Sequence, residues 1–165
     1  MALSYNPPPK GKGPSPNFTW KEVYANSGYP AMPLGPFRLP NGQTVSPRNN
    51  ASKHARNLET LRARINQARS SHGLPATGIT ILSWARSWEH NKAVGGAGNS
   101  QHLYFLATDI TREEVRRLTP WDTSAFDKLA NAVFANGGFG QYPGGNRHVD
   151  SRGYRARWTS FTPGK

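Results

Sequence analysis

Two histidines and an aspartate define the chemistry this chain can offer. His102 precedes an apolar run, Asp109 lies near the end of that run, and His148 opens a second short run that continues into Asp150. Two imidazoles and one carboxylate make a three-ligand zinc site with its fourth position open for water. Zinc held this way lowers the pKa of water towards neutrality and polarises a carbonyl. The spacing alone is not specific. It is neither the helical His-Glu-x-x-His pattern nor a cysteine framework, and a solvated or hydrogen-bonded histidine is the commoner outcome. Asp109 also stands just before a predicted helix, where aspartate often serves as a turn or cap. The chain has no cysteine, which excludes disulfides, thiolate nucleophiles and cysteine zinc sites. Of the other histidines, His54 and His72 lie on or just after a long helix and read as structural or solvated. Glu89 and His90 are lesser candidates for the site.

The elements that must position these residues are short. Residues 1–16, with their Pro-Pro-Pro-Lys-Gly-Lys-Gly-Pro stretch, read as a flexible Pro/Gly-rich arm, and residues 17–165 read as a single domain. Thr19 and Glu22 form a capping box for a short helix. Residues 28–50 read as loop. Residues 50–71 carry Ala51, His54, Ala55, Leu58, Leu61, Ile65 and Ala68 at helical spacing, and Gly73 and Pro75 end that helix. Gly78–Trp84 is β-branched and apolar, predicting a strand. His90–Gln101 reads as loop, and Leu103–Ile110 contains a second strand. Thr111 with Glu114 predicts another capping box, on a helix that stops before Pro120. A further helix is predicted from about Thr123 to Asn136, stopped by Gly137 and Gly138. His148–Asp150 and Ala156–Trp158 read as two short strands around a turn at Gly153. The sum is an α+β domain with a small, mostly antiparallel sheet and flanking helices.

A longer pattern adds to this reading. Ser83-Trp84-Ala85-Arg86 leads to Glu89-His90-Asn91. The run continues as Ala93-Val94-Gly95-Gly96-Ala97-Gly98-Asn99-Ser100-Gln101-His102 and closes on Ala107-Thr108-Asp109-Ile110. A second block runs Gly138-Phe139-Gly140-Gln141-Tyr142-Pro143, then His148-Val149-Asp150, with Arg155-Ala156-Arg157-Trp158 as a closing strand. Together these resemble the M15 family of zinc peptidases, the D-Ala-D-Ala carboxypeptidase-like group that includes many phage endolysins. Trp84-Ala85 stands where the family usually has Gly-Tyr.

The resemblance implies an M15/hedgehog-like zinc peptidase fold with His102, Asp109 and His148 as zinc ligands. It implies that Arg86 faces the scissile carbonyl, where a guanidinium stabilises the oxyanion. A salt bridge from Arg86 to Glu89 is the alternative. Ser100 and Gln101 would bind substrate or orient His102, and Tyr142 would line the cleft or pack as a turn residue. Some members carry a glutamate general base three residues before the last histidine ligand, where this chain has Gly145. Asp150 is then the candidate base, since strand alternation puts it on the face of His148. Its alternative is to orient a ligand or to pair with Arg152 or Arg155.

Charge and substrate are consistent with this resemblance. Lys and Arg number 21 against nine Asp and Glu, a formal charge of +12, which favours polyanions. A bacterial wall with anionic polymers fits. A nucleic acid fits the charge too, but no nucleic-acid motif accompanies it, and none is expected as a specific partner. No apolar run reaches the roughly 18 residues of a membrane helix, and Met1–Phe18 lacks the apolar core of a secretory signal. The expected activity is zinc-dependent hydrolysis of a peptidoglycan peptide bond, by a D-Ala-D-Ala carboxypeptidase or an L,D/D,D-endopeptidase. The expected setting is a monomeric phage lysin, held in the host cytoplasm until release to the wall or carried in the virion. The alternative is a weak or inactive wall-binding or virion structural protein on the same fold.

Overall fold

The computed structural model of the protein describes residues 13–159. The longest element is helix α2, Pro47–Ser71, which follows the short helix α1, Trp20–Tyr24. The full capping box expected at Thr19 and Glu22 is present on α1. On α2 the predicted stripe is buried at Ala51, His54, Ala55, Leu58, Leu61 and Ile65, and half-buried at its last member, Ala68. Asn17 bonds both carboxylate oxygens of Glu59 at 2.8 Å and so ties the chain ahead of α1 to the α2 flank. Most of the arm expected over 1–16 lies outside the described residues. Within them, Ser15 bridges to Phe18.

Between α1 and α2, Phe37–Arg38 (β1) and Thr44–Val45 (β2) make a small antiparallel hairpin. A loop is expected there. The pairs are too short to carry strand periodicity, so the hairpin does not stand out in the sequence.

The main sheet has four strands in the order β3-β5-β4-β6: β3 Ala107–Ile110, β5 Arg147–Asp150, β4 Gly138–Gln141 and β6 Ala156–Thr159. Its pairs are antiparallel except β4 with β6, which run parallel. The two strands predicted around Gly153 therefore do not pair with each other, because β4 lies between them. β4 itself reads as a glycine-rich helix stop in the sequence, yet it is an inner strand. Glycine is tolerated in it because two side chains from neighbouring strands occupy the space a Cβ would need.

The segment Gly78–Trp84 does not form a ladder strand. Among the described residues it pairs with the sheet only at the Ser83–Asp109 bridge, and the Glu114 carboxylate takes the Thr80 N–H at 2.6 Å. That bond also breaks the second predicted capping box. Thr111 caps α4, Arg112–Leu118, through the Glu114 N–H, but the Glu114 carboxylate turns to Thr80 and Arg117 instead of reciprocating. A short helix, α3, runs Trp88–Ala93, capped by Ser87, and takes up the start of the loop expected over His90–Gln101. Helix α5 spans Thr123–Val133 with Asp122 as its cap.

Alternation sorts the sheet into two faces. Thr108, Val149, Phe139 and Arg157 are in register across the four strands, as are Asp109, His148, Gly140 and Trp158 in the adjacent row. Val149 and Phe139 belong to the hydrophobic core with Leu58 and Leu61 from α2, Phe126 from α5 and Phe134 just after α5. The opposite face carries the histidine and aspartate of interest. Among the described residues, no helix is long and apolar enough to cross a membrane.

Candidate metal centre

Sheet register brings Asp109 and His148 together. They are direct partners on β3 and β5, so their side chains project side by side on one face. The third member comes from a 3-10 turn, Gln101–Tyr104, capped by Ser100, whose Oγ accepts the His102 N–H at 3.4 Å. Phe105 closes the turn with a left-handed backbone, φ 65°. Its buried ring packs edge-on against Tyr24 and Phe37, which holds that unfavourable conformation in place.

The segment before α3 fixes the turn and the His102 ring. The Trp84 carbonyl lies 2.7 Å from His102 Nδ1 and can only accept, so Nδ1 carries the proton and Nε2 has a free lone pair. Trp84 Nε1–H donates to the Phe105 carbonyl, and the Arg86 N–H donates to the His102 carbonyl. Trp84, the departure from the family's usual Gly-Tyr, is thus a fully buried brace for the turn.

His102 Nε2 then lies 3.2 Å from Asp109 Oδ2, and His148 Nδ1 lies 3.3 Å from Asp109 Oδ1. His102 Nε2 and Asp109 Oδ1 are buried and make no aligned hydrogen bond. Buried polar atoms are rarely left this way. One potential ligand atom from each of the three residues lies within 4.8 Å of the others. Two neutral-capable imidazoles, one carboxylate and two orphaned buried atoms converging on one point fit a zinc ion. His102, Asp109 and His148 can hold a metal.

Charge follows the same geometry. Burial would raise the Asp109 pKa, but the two histidine rings 3.2 and 3.3 Å from its oxygens overcome it and hold the carboxyl well below its usual range. Burial lowers His102, and Asp109 only partly restores it. Burial pulls on His148 too, yet the nearby Asp109 carboxylate and the hydrogen bond to Asp150 leave it above the ordinary histidine value.

Asp150 lies behind His148, not beside the ligand atoms. Its Oδ2 is 2.7 Å from His148 Nε2, which turns Nδ1 towards Asp109. Arg152 grips the same carboxylate with Nε and Nη2, at 2.9 and 2.7 Å, and the Gly138 N–H donates to it at 2.9 Å. A Cβ on Gly138 would fall 2.1 Å from Asp150 Oδ2, and one on Gly140 would fall 2.4 Å from the Trp158 ring. Both glycines are therefore cut-outs. One admits the Asp150 carboxylate, and the other lets Trp158 reach to 4.9 Å from the His148 ring. Arg152 in turn lies over Trp158, 5.1 Å from the ring centre. These contacts hold the Asp150 carboxylate against the His148 ring and fix its orientation, an arrangement commonly found behind metal-bound imidazole.

The remaining expected residues distribute as follows. Arg86 is buried, with Nη2 3.5 Å from Asp109 Oδ2 and Nη1 donating to Asn91 Oδ1. Its ion pair is with Asp109, not with Glu89. Burial lowers its pKa, partly offset by Asp109. The Tyr142 hydroxyl lies 3.5 Å from His148 Nδ1, at the mouth of the cluster. Ser100 supports the turn, and Gln101 is half-buried beside it. Glu89 and His90 are outside the metal-capable group. Asn91 is a positioning residue that spacing did not single out. It ties Arg86 to the Ala97 carbonyl, and its only sequence signal is its place in the Glu-His-Asn run.

Gly145 has φ +96°, and a Cβ there would lie 2.5 Å from Arg112 Cδ. The position where some family members carry a glutamate base is therefore reserved for glycine by its backbone and its neighbour.

A family model described as Peptidase M15 matches residues 41–149, more than half of the chain and inclusive of all three metal-capable side chains. No curated protein matches the chain.

Proposed function

The chain belongs to the peptidase M15 family, and from that premise we propose that it is a zinc-dependent peptidase that hydrolyses a peptide bond of bacterial peptidoglycan. The observation that carries the proposal is the pair of buried, unsatisfied ligand atoms, His102 Nε2 and Asp109 Oδ1, facing His148 Nδ1.

Those three residues would hold the metal. Bound zinc supplies a Lewis acid that polarises the scissile carbonyl and acidifies water. Arg86, anchored by Asp109 and Asn91, presents a guanidinium whose Nε has no hydrogen-bond partner among the described residues, and it stabilises the negative charge that develops on the carbonyl oxygen. Asp150 and Arg152 keep the His148 ring in its ligating orientation. Tyr142 lines the mouth, where its hydroxyl can donate to a substrate carbonyl. Ser100 acts through the turn that carries His102, and Gln101 borders the cleft. The proton-acceptor role considered for Asp150 gives way to orientation, because its oxygens are taken up by His148, Arg152 and Gly138.

The net charge of +12 suits an anionic wall. It also suits the setting of a phage lysin released to the wall, or carried in the virion. The test is mass spectrometry of muropeptides after digestion of purified walls, with and without a chelator. New peptide termini that vanish on chelation are expected, and their positions distinguish carboxypeptidase from endopeptidase cleavage. Products unchanged by chelation would sink the zinc mechanism.

One observation favours a second reading. Gly145 stands in place of a glutamate base, which suits a wall-binding protein that keeps zinc and has lost catalysis. A zinc-loaded protein that binds walls and releases nothing would establish it.

A further inference from the structure

Where the chain runs on from Arg86 it lines a cavity of about 430 Å³, together with Tyr29, Phe37 and Arg38, through Ser87, Trp88 and Glu89. That volume is typical of small-molecule sites. The cavity shares its supports with the cluster. Tyr29 and Phe37 pack at 6.0 and 6.4 Å from Phe105, which closes the turn carrying His102. Ser87, Trp88 and Glu89 continue the chain directly from Arg86.

The chemistry of the lining is specific. Its base is aromatic, with Phe37 buried and Tyr29 and Trp88 half-buried. Its rim carries one cation, Arg38, and one anion, Glu89. Both are exposed, and among the described residues neither side chain has an ion pair or hydrogen bond, with each other or with any neighbour. The rim is therefore neutral as a whole in a chain of net charge +12. A polyanion is better served elsewhere on this protein. A ligand that uses both charges must carry one of each sign and an apolar arm to lie on the rings.

We propose that this cavity binds the α-amino-carboxylate head of a diamino-acid residue in the peptide presented to the metal cluster, with its carboxylate on Arg38, its ammonium on Glu89 and its methylenes on Trp88 and Tyr29. The proposal rests on the peptidase reading and adds the substrate class. The diamino acid is the branch point through which peptide strands are cross-linked, so such a pocket selects that residue beside the bond to be cut.

The experiment is an NMR titration of the full chain with meso-diaminopimelic acid, with its mono-amide, and with a β-1,4-linked N-acetylglucosamine trimer. Diaminopimelic acid is expected to give saturable shifts at the Trp88 indole and at the amides of residues 28–40 and 87–89. Arg38→Ala should weaken it about threefold, the size of an exposed charge contact, and should erase its advantage over the mono-amide. Glu89→Gln should weaken both compounds. Both side chains are exposed, so neither change threatens the fold. Absent shifts, an unchanged affinity in Arg38→Ala, or shifts produced by the sugar trimer alone would overturn the proposal. The readout is binding, so a failure to cleave walls would strike the peptidase reading and leave this result to stand or fall separately.

Discussion

Thr108 and Asp109 are neighbours on β3, and their side chains enter two different buried polar clusters on opposite faces of the sheet. On the α2 side, His54 uses both ring nitrogens, Nδ1 with Ser151 Oγ at 2.7 Å and Nε2 with Thr108 Oγ1 at 3.0 Å, and Asn57 completes the network by donating to Ser151. Burial pushes the His54 pKa down to about 3, so the ring is neutral. On the other side, His102 Nε2 and Asp109 Oδ1 are equally buried and have no such partner. Both clusters are shielded from solvent and built on histidine. One closes on itself, as a structural network must. The other leaves ligand atoms converging on a point, which is affordable only if something binds there.

The contrast is broken most forcefully at the ligands. Asp109→Ala or His148→Ala should abolish hydrolysis of purified walls, a loss beyond the roughly 100-fold that bounds an outer-shell change. Released peptide, measured against wild type by mass spectrometry, checks it, and residual activity within tenfold would contradict the assignment. A smaller effect is expected one layer out. Asp150→Asn should weaken zinc binding by about 10–100-fold, read by competition with a chromogenic chelator. An unchanged zinc affinity with lost hydrolysis would return Asp150 to the role of proton acceptor.

The smallest effect on zinc, and a distinct effect on stability, belongs to His54. Its folded pKa lies below the unfolded value of 6.5. The unfolded chain therefore binds the extra proton first. The stabilisation from keeping this ring neutral is complete above pH 6.5 and is lost as pH falls towards 3. At pH 5 the loss is about 2 kcal/mol. Urea unfolding at pH 7 and pH 5 should show that difference in wild type and a reduced one in His54→Gln, with zinc affinity unchanged within a few-fold. Equal pH slopes in the two proteins would mean that His54 is not the buried neutral group inferred.

Much of this was legible in the residues. The α2 stripe, the α1 capping box, β5 and the helix after Thr111 follow from periodicity and capping chemistry. The metal-capable set was legible chiefly through the two ordered blocks, since spacing did not separate His102 from His54. Nothing local distinguishes a histidine whose partners are Thr108 and Ser151 from one whose Nε2 is left open, because those partners arrive through the fold. β4 was missed because Gly138 reads as a helix stop and Gly140 continues a glycine-rich run. Their purpose lies in the neighbouring strands, in Asp150 and Trp158. The strand expected at Gly78–Trp84 failed for a related reason. Ile79, Ile81 and Trp84 pack in or against the core while Leu82 is exposed, Trp84 braces the His102 turn, and the Thr80 N–H finds the Glu114 carboxylate without a ladder.

The central claim is that the face bearing Asp109 is incomplete without a metal. Isothermal titration of the metal-stripped protein with zinc, repeated in buffers of different ionisation enthalpy, tests it most directly. One zinc per chain should bind, with proton release as His148 gives up the proton that Asp109 and Asp150 favour, and His102→Ala should remove the stoichiometric binding. A wild type that takes up no stoichiometric zinc, or a His102→Ala protein that binds it as well as wild type, would contradict the account.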